Sequence, residues 1–338
     1  MDIKEVRSNA KERMKSFCNL CRECDGVWCA GQVPGMGGTG TGNTFKRNYE
    51  KLKELKVIMR TLHEVKEPDL TVQLFGEKLS FPGIIAPITG TKFNMGGFVT
   101  DEEYSKDIFE GGERSETLTM IGDTGDANCF HQGLEAMKNS KGKGIAIIKP
   151  RENDEIINRI KMAEEAGAIG VGIDVDGAGL VTMKLFGQPV GPKTEKDLKV
   201  LVNSTKLPFI VKGILTEEEV EICIRAGVAA VVISNHGGRC LNDTISSIEV
   251  LENIAEKYRD KITILADGGI REGVDILKFL ALGAHGVLIG RPIIWGSIGG
   301  RGEGVHLILE MLKSQLYQSM ILTGTKNLRE VSKKILFR

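Results

Sequence analysis

His236 and Arg239 sit three residues apart in the turn SNHGGR (234–239). A histidine in a Gly-rich turn beside an arginine can accept a proton next to an anchor for a carboxylate. Asp174 and Asp176 are two positions apart, so on a strand they face the same side. Either could orient an imidazole and balance its charge, or could cap the turn that follows. Lys212 lies in an apolar run, PFIVKGI, where burial is costly unless an anion meets it or the chain snorkels to the rim. Asp267-Gly268-Gly269 with Arg271, and Gly290-Arg291, offer close backbone N–H groups and guanidiniums, the chemistry of a phosphate site. Finally, Cys18, Cys21, Cys24 and Cys29 crowd into FCNLCRECDGVWC (17–29), although the chain has only seven cysteines.

These groups need elements to carry them. From about residue 82 the chain repeats one unit, a short apolar run followed by an amphipathic stretch. The runs are PGIIAPI (82–88), ETLTMIG (116–122), GIAIIKP (144–150), AIGVGIDV (168–175), PFIVKGI (208–214), AAVVISN (229–235), ITILADGG (262–269) and GVLIGRP (286–292). Each is too short for a buried helix. NDEIINRIKMAEEAG (153–167) and TEEEVEICIRAG (216–227) between them carry helical periodicity and a Gly stop. Eight strands alternating with helices predict an α/β fold, a (β/α)8 TIM barrel. In such a barrel chemistry collects at the C-terminal strand ends, where all the candidate residues after the cysteines fall. The phosphate candidates follow the seventh and eighth strands, the usual place for a phosphate in this architecture. Residues 1–80 read as an N-terminal extension, helical at 3–16 and 44–60, and residues 81–338 as the barrel.

The bulk properties agree. The chain has 338 residues, 41% apolar and 27% charged, enough for a large core. Basic and acidic residues balance at 45 each, which gives no bulk charge for nucleic acid or an anionic membrane. The polar start MDIKEVRSNAKERMKSF lacks a signal-peptide core, and no apolar run of about eighteen residues is present. An odd cysteine count without a signal points to a reducing, cytoplasmic setting.

ISNHGGRCLN, with LPFIVKGILT before it and ITILADGGIREGVDILKFLALGAHGVLIGRP after it, resembles the FMN-dependent 2-hydroxy acid oxidases and dehydrogenases, the glycolate oxidase, lactate oxidase and flavocytochrome b2 group. The resemblance runs from about residue 58 to the C-terminus. It implies His236 as the active-site base, Asp176 as its partner and Arg239 as the anchor of the substrate carboxylate. Lys212 would lie near the flavin N1–C2 edge. Asp267, Gly268, Gly269, Arg271, Gly290 and Arg291 would hold the ribityl chain and phosphate, and Ala86, Pro87 and Ile88 would lie along the flavin. The implied reaction takes two electrons from a CH–OH carbon beside a carboxylate, leaving a 2-oxo acid.

Several positions depart from the family pattern. A Gln and a Tyr are expected at the end of the third strand, where Ala146 and Ile148 are read. Asp174 stands where a Thr is usual, and the loop 176–194 lacks the second substrate arginine. The N-terminal Tyr has no match in the Cys-rich segment. Other readings therefore stay open. One is an FMN-dependent isomerase or reductase similar to type 2 isopentenyl diphosphate isomerase. Another is the IMP dehydrogenase and GMP reductase group, whose catalytic Cys only Cys240 approaches. A third is a flavin electron carrier or sensor without hydroxy acid activity. The partners expected are a small carboxylate substrate, with an electron-acceptor protein and self-association left open. The four cysteines suit an iron–sulfur cluster, zinc, or plain reduced thiols.

Overall fold

Each of the eight apolar runs forms a strand in the computed structural model, which describes residues 1–140 and 143–337. They are β1 (Gly83–Ile85), β2 (Leu118–Gly122), β3 (Lys143–Ile148), β4 (Gly170–Asp174), β5 (Phe209–Ile214), β6 (Ala230–Ile233), β7 (Thr263–Ala266) and β8 (Gly286–Ile289). All pair in parallel with their chain neighbours, and β8 closes on β1. The TIM barrel is thus the fold observed. Helices α1 (Ile3–Arg13) and α2 (Asn43–Glu54) precede it. The outer ring comprises α3 (Asp101–Arg114), α4 (Ala127–Lys138), α5 (Asn153–Glu165) and α6 (Glu195–Asn203). It continues with α7 (Glu217–Ala226), α8 (Ser247–Tyr258), α9 (Gly273–Ala281) and α10 (Arg291–Thr323).

Local chemistry sets these boundaries. Asp2 and Glu5 form a capping box that starts α1, and Thr100 with Glu103 does the same for α3. Gly227, in the left-handed region at φ 83°, ends α7. Helix α2 stops at Glu54, short of the predicted residue 60. Leu55 turns extended, and Lys56–Val57 pair with Leu336–Phe337 instead. No helix among the described residues is long and apolar enough to cross a membrane.

The strands are buried on both faces, and two apolar clusters separate those faces. Ile84, Met120, Ile145, Ile147, Ile210, Val232, Leu265 and Leu288 fill the barrel interior. Ile85, Ile121, Ala146, Ile148, Val171, Ile173, Val211, Ile233 and Ile289 pack outward with the helices. Side chains alternate along a strand, so the interior set fixes what points inward at the C-terminal rim. The rim positions are Lys149 after β3, Asp174 on β4, Lys212 on β5, Ser234 after β6, Asp267 after β7 and Gly290 after β8. Parallel register places Asp174 beside Lys212.

This alternation corrects one expectation. Ala146 and Ile148 do not face the cavity; they face the helices. The inward residues of β3 are Ile147 and then Lys149, one step away from the sequence reading.

Candidate active site

The rim encloses a cavity of about 1030 Å³ of non-protein space, counted to its open mouth. Ala86, Pro87, Ile88, Lys212, His236, Arg239, Asp267, Gly268, Gly269, Arg271, Gly290 and Arg291 all line it. Asp176 stands one layer behind His236, in contact with the imidazole instead of the cavity.

The turn after β6 is built to project His236. His236 itself lies in the left-handed region at φ 58°, uncommon for a residue with a side chain. Its N–H donates to Ser234 Oγ (3.1 Å), and Asn235 Oδ1 accepts from Gly238 N (3.2 Å). Asn235 also pairs with the buried Asn48 of α2, at 2.8 Å in each direction. Thr39 N–H closes on Gly238 O (2.9 Å), so the N-terminal segment braces the turn from outside.

His236 Nδ1 is 3.0 Å from Asp176 Oδ1 and 3.8 Å from Asp174 Oδ2. Asp176 reaches this position because residue 213 is glycine. A Cβ there would lie 2.5 Å from Asp176 Cγ, and φ is 101°. Burial opposes charge on Asp176, but Lys212 and His236 outweigh it and hold the carboxyl far below its ordinary range. Burial, then Lys212, push the His236 pKa below its ordinary 6.5, against the pull of Asp176. A neutral imidazole with Nδ1 toward Asp176 leaves Nε2 free to accept a proton.

Lys212 sits between Asp176 (3.7 Å) and Asp267 (3.8 Å) and donates to Ser234 Oγ (3.0 Å). Burial disfavours its charge, yet Asp176 and Asp267 raise its pKa above the ordinary value. The anion that the sequence demanded for Lys212 is thus a pair of strand-end carboxylates. Asp267 moves the other way, because burial raises it more than Lys212 lowers it.

Sequence reasoning missed Lys149. It is buried, lines the cavity, and pairs with Asp174 Oδ2 at 2.5 Å. The signal was a charged residue directly after the apolar run of β3. Asp174 therefore joins the site through Lys149 and not as a helix cap. Nearby, Arg151 holds Asp123 (2.8 Å) as a second buried pair.

Three guanidiniums converge on the cavity without a carboxylate partner among the described residues: Arg239, Arg271 and Arg291. Arg239 donates to the Gly35 and Gly37 carbonyls and, at 2.8 Å, to Asn94 Oδ1. Arg291 donates to Met36 O (2.9 Å) and Gly237 O (3.2 Å) and lies 3.7 Å over the Phe45 ring. Burial, then the charge of Arg271, push the Arg291 pKa down to about 9. Arg271 donates to Ile270 O (2.7 Å), while its Nε is buried with no partner. Carbonyls satisfy hydrogen bonds but do not balance charge, so this end of the cavity favours anions. Arg291 also opens α10, where unpaired helix N–H groups add to the same field.

These residues fit a phosphate-bearing flavin, with uncompensated guanidiniums, an orphaned Nε and a helix start at one end of the cavity. Gly268 and Gly269 line the cavity as expected, yet their closest packing is with α2. A Cβ on Gly269 would come within 2.7 Å of Asn48 O.

The four N-terminal cysteines are free thiols in a stretch of turns. Among the described residues, the one set of three metal-binding side chains that converges, within 4.8 Å, is Asp176, His236 and Cys240. Cys18, Cys21, Cys24 and Cys29 form no set of that tightness.

Residues 35–184 and 181–338 match the family model described as FMN-dependent dehydrogenase. A 2-hydroxyacid oxidase of Dictyostelium discoideum is 29% identical over 327 residues, covering 87% of this chain and 82% of that protein. An L-lactate oxidase of Lentilactobacillus hilgardii is 28% identical, covering 87% and 86%. A crystal structure of mandelate oxidase superposes with TM-score 0.81 at 23% identity, covering 99% of this chain and 97% of that one, a likeness of fold.

Proposed function

This chain belongs to the FMN-dependent dehydrogenase family, and we propose that it oxidises a 2-hydroxy acid to a 2-oxo acid with His236 as the base. The carrying observation is the geometry of His236, a left-handed residue held 3.0 Å from Asp176 at the edge of the cavity. Arg239, uncompensated and lining the same cavity, supplies the charge for a carboxylate.

Each residue has a task in this reading. Arg239 binds the substrate carboxylate and exchanges its carbonyl partners for that anion. His236 Nε2 takes a proton from the CH–OH group. Asp176 keeps Nδ1 protonated and stabilises the imidazolium that results. Bound FMN would supply the acceptor for the electron pair and the second hydrogen, a hydride equivalent. Lys212 provides positive charge in the barrel centre, where the electron-rich edge of the ring would lie. Arg291, Arg271 and the turns at Gly268-Gly269 and Gly290 hold the phosphate end. Ala86, Pro87 and Ile88 form an uncharged wall for the ring. The barrel of residues 81–338 is the FMN-binding unit, and residues 1–80 close over its mouth.

Lys149 takes the rim position after β3. Its pair with Asp174 puts a buried positive charge within the field of His236. We read it as the group that adapts this pocket to its own substrate.

The test is His236→Ala. The variant should retain FMN, and flavin reduction by substrate should slow by about 10²–10⁴-fold, the usual worth of a general base. Unchanged reduction would remove His236 from the mechanism. The four cysteines lie outside this chemistry, and their spacing suits an iron–sulfur cluster or zinc.

A further inference from the structure

Residues 14 to 42 contain no regular helix or strand, yet Cys18, Leu20, Gly26 and Met36 within them are buried. Cys18, Leu20 and Met36 pack into the main apolar core, while the stretch itself has no helix or sheet ladder to stiffen it. Its seventeen-residue front, Met14 to Ala30, contains four cysteines, and none forms a disulfide.

The sulfurs are treated as acceptors by their surroundings. Leu20, in the left-handed region at φ 40°, curls back so that its N–H meets Cys18 Sγ at 3.5 Å. Asn19 Nδ2 lies 3.8 Å from Cys21 Sγ. Arg271 Nη2 donates to Cys24 Sγ at 3.3 Å. Three consecutive cysteines thus each receive an N–H donor. A neutral thiol is a weak acceptor, whereas N–H groups aimed at sulfur are a recurrent feature around metal-bound thiolates.

We propose that Cys18, Cys21, Cys24 and Cys29 ligate an iron–sulfur cluster of the four-iron type on the outer wall of the cavity. One observation chooses it over zinc. Tetrahedral zinc with bonds of about 2.3 Å draws its sulfurs to about 3.8 Å from each other. These sulfurs form no set converging within 4.8 Å, the criterion that Asp176, His236 and Cys240 meet. A cluster of four irons spreads its thiolates further apart than a single zinc does. The spacing C-x2-C-x2-C-x4-C combines the two-residue and four-residue intervals of cluster ligands. Charge favours a four-thiolate metal group of either kind. Arg271 and Arg291 both face this segment and have no carboxylate partner among the described residues. A four-thiolate cluster is a net anion and would answer them from outside the cavity, as phosphate would from within.

This inference does not rest on the identity of the hydroxy acid. The full chain is purified without oxygen, and its iron, acid-labile sulfide, zinc and acid-released flavin are measured separately. About four irons and four sulfides per chain are expected, with a paramagnetic signal on reduction that is distinct from a flavin radical. Cys21→Ala should lose that iron and signal, whereas Cys129→Ala, a buried cysteine elsewhere, should keep both. Iron reconstitution of the wild-type chain provides the same reading if Cys21→Ala fails to fold. One zinc per chain, or no metal after reconstitution, would overturn the proposal, as would full iron in a folded Cys21→Ala. The flavin count decides the oxidase reading independently.

Discussion

The two halves of the barrel mouth obey different rules. From β5 to β8 the rim carries Lys212, Ser234, His236, Arg239, Asp267, Gly290 and Arg291, and all but Ser234 are residues that the family resemblance singles out. From β2 to β4 it carries Gly122, Lys149 and Asp174, with Arg151 and Asp123 close by, and the usual Gln, Tyr and Thr are absent. The first half has cations without carboxylates at its outer end. The second half has its charges already paired, Lys149 with Asp174 and Arg151 with Asp123. A half left electrically open is suited to capture anions. A half closed on itself is suited to shape and tune what is captured. On the proposed function, cofactor, base and carboxylate anchor belong to one side and the choice of substrate to the other.

Breaking the open half should cost most. Asp176→Asn removes the charge that fixes Nδ1–H and stabilises the imidazolium, so kcat should fall by about 10²-fold or more while FMN stays bound. Rapid-mixing absorbance of the flavin checks this, and a loss of FMN instead would make Asp176 a structural residue. Arg239→Met should raise KM more than it lowers kcat, reducing kcat/KM by about 10–100-fold, the worth of a charge-assisted bond. Equal affinity for carboxylate inhibitors in that variant would move the anchor elsewhere.

Perturbing the closed half should have a smaller and different effect. Lys149 helps to hold the His236 pKa down. Lys149→Gln should therefore shift the acid limb of the kcat/KM profile to higher pH. It also strands Asp174, so a loss of stability of about 3 kcal/mol, read as a lower Tm, is expected alongside. An acid limb that stays in place would mean that the two halves act independently.

The smallest effect is on stability. The folded-state pKa of His236 lies below 6.5, so the folded chain prefers the neutral ring. Its contribution should be complete above about pH 6.5, decline as pH falls from there to the folded value, and change no further below it. Comparing wild type with His236→Gln by denaturant titration across that range isolates this slope. A slope of opposite sign would mean that Asp176 outweighs burial.

The open half was legible in the sequence because its residues interrupt apolar runs or follow them in Gly-rich turns. SNHGGR, ADGG and IGRP each announce a strand end by composition. The closed half was not, and the cause is the fold. A strand buried on both faces loses the alternation that shows which residues face inward. GIAIIK is apolar throughout until Lys149, so nothing local distinguishes Ile147 from Ile148. Arg239 with Asn94, and Asn235 with Asn48, join residues 145 and 187 positions apart. The first follows from closure of the barrel and the second from α2 packing against it, and neither leaves a mark in local spacing. Four cysteines at cluster-like intervals were visible from the start, whereas the donors on their sulfurs, above all Arg271, became visible only in the folded chain.

The most direct test is anaerobic mixing of the purified chain with a panel of 2-hydroxy acids while the oxidised-flavin absorbance is followed. Bleaching by at least one acid, with one equivalent of 2-oxo acid formed per flavin reduced, is the predicted result. A chain that carries no flavin, or whose flavin stays oxidised with every acid in the panel, would contradict the account.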